Sequence, residues 1–430
     1  MLKVFIQSFS ISNFEQLVMN SEIQAIGLDI GTSRVRCVIG EPSADGRMNI
    51  VGIGEAESKG LRRGVVISTE SVAESVRKAV GEAERVSGLE VETATVNLSG
   101  EHLRGENKNG VVAVAGAEKE ITDEDLERAV DSASAMPLTP GWEIVSRLPQ
   151  EFIVDGQDGI TEPIGMNGAR LEALVHVVTS PSAARQNLIK AVTRAGIEVE
   201  QLVLEPLAAA ESVLTDDDKE YGCALVNMGS EITSLMIFGR GAVQHTAVFP
   251  FGSMLFTKDI ATGLRVSIPE ASKIKQNWGC VASFLLDEEE RQEVIDIVPF
   301  GRSETRGLSK EILCNIMQPR AVELMQHISR EVSSTKAQIS GGVFLTGGGA
   351  MVRGLAEVAE QVFDAPTRAG FLESSYFGGL AEEVQGPQWA TVCGLALRSM
   401  KSQMRGDGAG GKSSARKVAD WIGNFRGRFR

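Results

Sequence analysis

The sequence predicts an α/β protein built from two related halves. Glycine is frequent, with 46 residues, while aromatic residues make up only 5% of the chain, a mix typical of strands and helices joined by tight turns. The stretch AIGLDIGTSRVRCVIG at 25–40 is echoed by ALVNMGSEITSLMIFGR at 224–240, and a shift of 198 residues places Asp29 on Asn227 and Gly31 on Gly229. Each copy contains a strand, a polar turn with glycine and a second strand, which indicates a duplicated β-hairpin. The backbone N–H groups of such a turn can bind anionic oxygens.

A third glycine turn lies in a different context. The stretch GGVFLTGGGAMVRGL predicts a short strand at Val343–Leu345, a turn at Gly347–Gly349 and a helix that begins at Ala350. A strand, a glycine turn and a helix N-terminus together allow a nucleotide to approach closely and leave N–H donors for it. Such turns also arise from packing, so the motif alone does not identify a ligand.

Capping and breaking residues place the other elements. Helices are predicted at Ser71–Arg85, Asp123–Ala135, Ala183–Ala195, Leu207–Leu214 and Lys310–Gln338, and strands at Glu92–Ser99, Gly110–Val114, Arg170–Val178 and Gly241–Pro250. Thr69 and Thr122 are candidate N-caps of the first two helices. Gly196 ends the third and Pro206 begins the fourth. Pro319 is predicted to interrupt the fifth.

Charge and cysteine usage exclude some classes of function. The chain has 57 acidic and 43 basic side chains, a net charge of −14, which argues against nucleic acid as a partner. Its five cysteines are scattered and form no CxxC pair, which favours buried thiols in a reduced compartment. The four histidines are far apart, so the sequence shows no metal motif. Residues 1–22 lack the features of a signal peptide and are interpreted as an N-terminal extension of unknown role.

The stretch 415–430 predicts an amphipathic helix that binds an anionic membrane surface. At about 100° per residue, its large apolar side chains fall on one helical face. Arg426 and Arg428 border that face, and the stretch has five basic residues against one acid. The apolar residues of this face are Val418, Trp421, Ile422, Phe425 and Phe429, and the basic residues assigned to the membrane contact are Arg416, Lys417, Arg426 and Arg428.

A glycine- and serine-rich segment at 401–414 predicts a flexible linker between this helix and the body. The alternative is a C-terminal helix docked on the core, but basic residues beside an apolar stripe suit anionic headgroups better. Since ordering the chain costs free energy, we expect the helix to form on the bilayer rather than in water. Many such helices on one polymer would bind by avidity.

Four motifs in sequence resemble the actin-like ATPase superfamily and, within it, the FtsA family of bacterial division proteins. They are GLDIGTS at 27–33, LEPLAAAESVL at 204–214, ALVNMGSEITSLMIF at 224–238 and LTGGGAMVRGL at 345–355. The resemblance covers residues 22 to 400, together with the linker and the C-terminal helix. It implies a two-lobed actin-like (ribonuclease-H-like) fold with a nucleotide cleft between the lobes, a 1C-type insertion subdomain and a C-terminal amphipathic helix.

The resemblance also divides the chain into subdomains. They are the N-terminal extension at 1–22, subdomain 1A at 23–105, 188–219 and 386–400, subdomain 1C at 106–187, subdomain 2A at 220–252 and 337–385, subdomain 2B at 253–336, the linker at 401–414 and the membrane-targeting helix at 415–430.

Family roles can be carried onto matching positions. Asp29 would hold the hydration shell of Mg²⁺, and Glu205 would be the catalytic residue near the attacking water. ATP would be bound by a first phosphate loop (Gly31, Thr32, Ser33), a second phosphate loop (Asn227, Gly229, Ser230, Thr233) and adenosine contacts from Lys275, Gly347, Gly348 and Gly349.

The second phosphate loop departs from the family pattern. The family has acidic residues at Asn227 and near Ser234, and glycines where Ser230 and Glu231 stand. A neutral amide attracts hydrated Mg²⁺ less than a carboxylate does. Glu231 would also repel phosphates unless it turns away. We therefore expect weak or absent ATP binding and slow or absent hydrolysis.

The resemblance implies several partners. FtsA-like proteins polymerise, bind the cytoplasmic face of the cell membrane at the division site, and join other divisome proteins, among them FtsZ, whose C-terminal peptide they bind through subdomain 2B. That acidic and apolar peptide needs cations beside a groove. The candidates are Arg306, Lys310, Asn315 and Arg320, although ordinary surface charge explains these residues equally well.

Other functions of an actin-like fold are alternatives. A pilus-assembly actin-like protein also has a 1C-like insertion, but it would not need an amphipathic helix of its own. An actin-fold kinase needs an intact phosphate site and a catalytic base, and the altered second loop argues against both. A chaperone ATPase would need a substrate-binding domain after residue 400, which the sequence does not indicate.

Overall fold

The computed structural model describes residues 23–116, 118–301 and 304–404. Its helices are α1 (Thr69–Ser87), α2 (Asp123–Ser134), α3 (Ser182–Arg194), α4 (Glu205–Val213), α5 (Asp216–Tyr221), α6 (Met254–Leu264), α7 (Ile268–Trp278), α8 (Glu288–Gln292), α9 (Lys310–Thr335), α10 (Leu355–Phe363) and α11 (Ala390–Met404). Its strands are β1 (Ala25–Ile30), β2 (Arg34–Pro42), β3 (Met48–Glu57), β4 (Leu61–Arg62), β5 (Val65–Val66), β6 (Thr93–Leu98), β7 (Arg104–Ala113), β8 (Trp142–Val154), β9 (Gln157–Ile160), β10 (Arg170–Pro181), β11 (Glu198–Leu204), β12 (Cys223–Met228), β13 (Thr233–Gly239), β14 (Ala242–Phe249), β15 (Val294–Ile297), β16 (Arg306–Ser309), β17 (Val343–Thr346), β18 (Thr367–Ala369) and β19 (Phe377–Gly379).

Two sheets repeat one strand order, which defines the two lobes. The first-lobe sheet runs β19-β3-β2-β1-β6-β11, and the second-lobe sheet runs β14-β13-β12-β17-β18. In each, a hairpin (β1–β2 or β12–β13) lies beside a parallel strand (β6 or β17). The third strand of each meander, β3 or β14, pairs antiparallel with that hairpin. The duplication predicted from the sequence is therefore confirmed.

The two hairpin turns match in detail. Gly31 donates its N–H to the Arg34 carbonyl at 3.0 Å, and Gly229 donates to the Ile232 carbonyl at 2.9 Å. A Cβ atom on either glycine would lie 3.0 Å from that carbonyl, so both turns favour glycine. The strands that lead into these turns, β1 and β12, are buried along their whole length. The two lobes thus contain equivalent turns at the ends of equivalent buried strands.

An inserted subdomain consists of β7, β8, β9, β10 and α2. Its sheet has the order β7-β10-β8-β9, and α2 packs on one face of it. Thr122 caps α2 as predicted, since its hydroxyl accepts the Asp125 N–H while the Asp125 carboxylate accepts the Thr122 N–H. The following helix, α3, packs Leu188 and Val192 into the first-lobe core instead. The last strand of the insertion sheet, β10, thus ends at Pro181, while the bounds 106–187 of subdomain 1C stay a prediction.

Helices α6, α7 and α9 and the hairpin β15–β16 form the outer part of the second lobe. Their apolar side chains share one core with the second-lobe sheet. The predicted interruption of α9 at Pro319 is wrong, because the helix is continuous from Lys310 to Thr335. Pro319 removes the hydrogen bond to the Asn315 carbonyl, but both residues are exposed, so water can bind that carbonyl.

Three other helix boundaries differ from the predictions. The N-cap of α1 is Ser68, whose hydroxyl accepts the Ser71 N–H, rather than Thr69. Helix α10 begins at Leu355 rather than at Ala350, because a 3-10 turn and Gly354 at φ +86° separate it from the glycine turn. Helix α11 continues through Met404, so the first four residues of the predicted linker are helical.

Two further observations concern the described ranges. The cysteines Cys37, Cys223, Cys280, Cys314 and Cys393 are unpaired and buried, as the sequence predicted. Within residues 23–116, 118–301 and 304–404, we find no helix with the length and apolar character needed to cross a membrane. The extension at 1–22, the linker from 405 onward and the predicted membrane-binding residues at 415–430 lie outside these ranges.

Candidate functional site

The first-lobe turn lies at the end of β1. Asp29 is 7% exposed, and burial raises the pKa of its carboxyl group to about 6, against an opposing effect from Arg36. The Asn97 side-chain oxygen accepts the Ile30 N–H at 2.8 Å and so fixes the end of β1. Thr32 and Ser33 follow in the turn, where Ser33 is exposed. This arrangement forms a polar turn at the end of β1, while its predicted role as the first phosphate loop stays a prediction.

The second-lobe turn is held by the start of α6. The Gly229 carbonyl accepts the Ser253 N–H at 2.9 Å, and the Ser230 carbonyl accepts the Met254 N–H at 2.8 Å. A Cβ atom on Gly252 would lie 2.6 Å from both carbonyl oxygens, so only glycine fits there. Two carbonyl oxygens of this turn are thus tied to their own lobe, which fixes the shape of the turn.

Thr233 and Lys275 also contact their own lobe. The Thr233 hydroxyl is buried and donates to the Phe251 carbonyl at 2.8 Å. Lys275 donates its ammonium group to the Ser253 carbonyl at 3.2 Å, and burial lowers its pKa to about 8. Lys275 therefore sits partly desolvated near the second turn, while its predicted contact with adenosine stays a prediction.

Glu205, in the first turn of α4, is the centre of a hydrogen-bonded group between the lobes, here called the floor. Its Oε1 atom accepts the Asn227 side-chain N–H at 3.2 Å, and its Oε2 atom accepts the Ser234 hydroxyl at 3.0 Å. Asn227 also donates to the Thr391 hydroxyl at 3.0 Å. Burial, reinforced by the charge of Asp29, raises the pKa of Glu205 to about 8. The two donors to Glu205 are the residues that stand where the family pattern has carboxylates.

The donors at this floor do not fit the Mg²⁺ ion that the fold family implies. Carboxylates at 227 and 234 would repel Glu205 unless a cation lay between them, whereas Asn227 and Ser234 satisfy Glu205 directly. Asp29, whose charge raises the pKa of Glu205, is then the other carboxyl group near this site. Across the described part of the chain, no cluster of three or more His, Cys, Asp or Glu side chains is arranged to hold a metal.

The triple-glycine turn packs against the end of β12. A Cβ atom on Gly347 would lie 2.3 Å from the Asn227 side-chain oxygen, and one on Gly349 would lie 2.4 Å from the Met228 Cγ atom. Gly348, by contrast, has no heavy atom within 4 Å of that position. Close packing therefore requires glycine at positions 347 and 349, whereas Gly348 borders open space that a ligand could enter.

The Glu231 side chain points from the second-lobe turn toward the first lobe. Its Oε2 atom accepts the backbone N–H of Arg63, in the first lobe, at 2.8 Å. The sequence identified Glu231 as a charge out of place, but it gave no signal for Arg63 as the partner. This contact joins the two lobes.

The four candidate residues for partner binding divide into two pairs. Lys310 contacts Glu290 and Glu293, both at 3.1 Å, and Arg320 contacts Asp259 at 2.7 Å. Internal carboxylates therefore compensate both of these cations. Arg306 and Asn315 are exposed. A groove of about 420 Å³ lies beside Arg320 and is lined by Asp259, Thr262, Gly263, Ile316, Pro319, Arg320 and Glu323.

Comparisons with known proteins agree with this architecture. A family model described as "SHS2 domain inserted in FTSA" matches residues 100–179, and one described as "Cell division protein FtsA" matches residues 224–394. The chain is 39% identical to cell division protein FtsA of Pseudomonas aeruginosa over 383 residues, which are 89% of this chain and 90% of that protein. It is 32% identical to FtsA of Escherichia coli K12 over 406 residues, 92% of this chain and 95% of that protein.

Solved structures show the same fold at lower identity. A chain of a PilM–PilN type IV pilus biogenesis complex is similar with a TM-score of 0.65 and 18% identity, covering 88% of this chain and 99% of that chain. MreB5 of Spiroplasma citri bound to ADP is similar with a TM-score of 0.52 and 14% identity, covering 89% and 99%. These similarities confirm the two-lobed actin-like fold with an insertion subdomain.

Proposed function

Because the chain belongs to the FtsA family of cell division proteins, we propose that it is a membrane-tethered actin-like scaffold that polymerises and anchors FtsZ at the inner face of the cytoplasmic membrane. The amphipathic pattern at 415–430 supports the membrane contact. The acidic body and the basic C-terminal stretch of the same chain suit a protein that touches anionic lipid through that stretch alone.

The hydrogen bonds to Glu205 are the observation that favours a scaffold over an ATP-driven enzyme. Glu205 would have to position an attacking water for hydrolysis, but each of its oxygens already accepts one protein hydrogen bond, which leaves fewer lone pairs for a water. We infer that ATP binds weakly, that Mg²⁺ contributes little to its binding, and that hydrolysis is slow or absent. Family membership also favours this role over a pilus-assembly protein or a kinase.

The groove between α6 and α9 is the proposed site for the C-terminal peptide of FtsZ. Ile316 and Pro319 give it apolar surface, and Arg320 and Asp259 give it polar groups that are already paired. Arg306, an exposed cation on β16 of the same subdomain, is proposed to contact an acidic residue of the peptide beyond the groove. Other divisome proteins would assemble around this tethered polymer.

The membrane function is tested by co-sedimentation with anionic liposomes. The full chain is compared with a chain that ends at residue 412, at equal concentration and with neutral liposomes as a second lipid condition. We expect only the full chain to pellet, and only with anionic lipid, because the tail binds by apolar burial plus charge. Equal pelleting of both chains, or of neither, would overturn the tail as the anchor.

A further inference from the structure

The contact between Glu231 and Arg63 joins two segments that are each held firmly by their own lobe. On the second lobe, Glu231 belongs to the turn whose carbonyl oxygens are bound by the start of α6. On the first lobe, Arg63 lies in the two-residue turn between β4 and β5, where Arg63 has φ +48° and Gly64 has φ +75°. Because each segment is fixed to its own lobe, a hydrogen bond between them restrains the position of one lobe relative to the other.

The β4–β5 turn is fixed to the first lobe at several points. A Cβ atom on Gly64 would lie 2.6 Å from the Gly100 Cα atom, so the turn packs directly on that backbone. The Arg63 guanidinium group contacts the Glu101 carboxylate at 3.2 Å, and the Arg63 carbonyl accepts the Glu101 N–H at 3.4 Å. The turn cannot follow Glu231 away from the first lobe without losing these contacts.

The contact also lies at the phosphate end of the cleft. The Ser58 N–H, at the start of the segment that leads to the β4–β5 turn, donates to the carbonyl of Ser33 in the first polar turn at 3.0 Å. Glu231 lies two residues after Gly229 in the second polar turn. The segment from Ser58 to Arg63 thus connects the two polar turns. Ser58 is hydrogen-bonded to the first turn, and Arg63 is hydrogen-bonded to Glu231 of the second.

We propose that Glu231 is a latch that holds the two lobes together at the phosphate end of the cleft, so that closure does not require a bound nucleotide. The carboxylate of Glu231 supplies a charged acceptor for the Arg63 N–H of the other lobe without any ligand between them. The contacts of Glu205 with Asn227 and Ser234 are further hydrogen bonds between the lobes. The latch is independent of the proposed scaffold function, since it acts in the nucleotide-free chain and away from any membrane.

The test uses the full chain without nucleotide and measures lobe separation directly. The five native cysteines are buried, so cysteines introduced at the exposed positions Glu70 and Glu289 can be spin-labelled selectively. We expect a single narrow interspin distance in the otherwise unchanged chain. Glu231→Ala is expected to lengthen and broaden that distribution, and Glu231→Gln, which keeps an acceptor without its charge, is expected to give an intermediate result. Glu360→Ala, at an exposed glutamate of the second lobe, is the matched control and is expected to change nothing.

Hydrogen exchange at the Arg63 amide gives the second readout. Loss of a hydrogen bond to a charged acceptor is expected to raise exchange there on the order of 10-fold in Glu231→Ala. Faster exchange with an unchanged interspin distance would show a local contact that does not hold the lobes, and would overturn the proposal. An unchanged exchange rate would overturn it as well. Thermal melting of each variant distinguishes lobe opening from unfolding.

Discussion

The side-chain amide of Asn227 donates a hydrogen bond to the carboxylate of Glu205 at 3.2 Å, so the second lobe binds the residue that would position water for hydrolysis. The same amide reaches the hydroxyl of Thr391 at 3.0 Å, in the first turns of α11. One neutral side chain thus connects the second-lobe sheet with the two helices that enclose the floor of the cleft.

Replacing Asn227 by aspartate should make the protein depend on Mg²⁺. In Asn227→Asp, a second carboxylate would face Glu205 in a buried site, and we expect the free energy of unfolding to fall by about 1–3 kcal/mol without metal. A cation between the carboxylates should restore part of that stability and tighten ATP-Mg²⁺ binding about 10-fold. Thermal melts with and without Mg²⁺, and calorimetric titration with ATP-Mg²⁺, measure the two effects.

Asn227→Ala is the matched control for that substitution. It removes the hydrogen bonds to Glu205 and Thr391 without adding a charge, so it should lose stability but gain no dependence on Mg²⁺. If the aspartate and alanine variants respond to Mg²⁺ alike, the floor does not discriminate against the metal and our account of it is wrong.

A buried histidine makes the seam between the insertion and the second lobe sensitive to acid. His176 is 1% exposed and lies between the Asn107 side-chain oxygen at 2.5 Å and the Thr246 hydroxyl at 2.8 Å. Burial, with a smaller effect from His245, lowers the pKa of His176 to about 4. His245 in turn contacts Glu331 at 2.8 Å. An ion pair at the seam joins Arg240 and Glu151 at 3.5 Å.

The sign of the pH effect follows from these pKa values. The unfolded chain protonates this side chain near its ordinary pKa of 6.5 and the folded chain only near 4, so the unfolded state binds more protons in between. The free energy of unfolding should therefore fall as the pH drops through this window, by about 2 kcal/mol at pH 5. Denaturant titrations at pH 7 and pH 5 measure the change. His176→Gln should remove this part of the pH dependence, and an equal pH dependence in both proteins would contradict the assignment.

The sequence predicts those features of the fold that repeat or depend on local chemistry. The equivalence of Gly31 and Gly229 follows from a motif that occurs twice, and the cap at Thr122 follows from residues three positions apart. The continuous path of α9 through Pro319 does not, because burial of neighbours such as Met317 and Ala321 outweighs the cost of one proline.

The contacts within the site could not be predicted from the sequence. Glu231 and Arg63 are 168 residues apart, and no periodic pattern relates them. The sequence showed that Asn227 and Ser234 depart from a family pattern, but only the geometry shows that both bind Glu205. Likewise, composition could mark Lys310 and Arg320 as cations, whereas their pairing with Glu290 and Asp259 depends on how α9 packs.

Charge reversal at Arg306 should weaken binding of the FtsZ C-terminal peptide. Arg306 is exposed, whereas Lys310 and Arg320 are already paired with carboxylates. Arg306→Glu is therefore expected to lower the affinity about 10-fold at low salt and by less at high salt, as screening requires. Fluorescence anisotropy of a labelled peptide measures it. Arg85→Glu, at an arginine with 75% side-chain exposure on the first lobe, makes the same charge change away from the groove. Equal effects of the two substitutions would rule out a local contact at Arg306.

Two adjacent glycines of the triple-glycine turn should respond differently to alanine. A methyl group on Gly348 meets open space, so Gly348→Ala should keep the free energy of unfolding within about 0.5 kcal/mol while reducing whatever adenosine binding the cleft retains. A methyl group on Gly349 would lie 2.4 Å from the Met228 side chain, so Gly349→Ala should cost about 1–3 kcal/mol through overpacking. Denaturant titrations and adenosine nucleotide binding by each variant test the pair. Equal loss of stability in the two variants would mean that Gly348 is also a packing residue and does not border a ligand site.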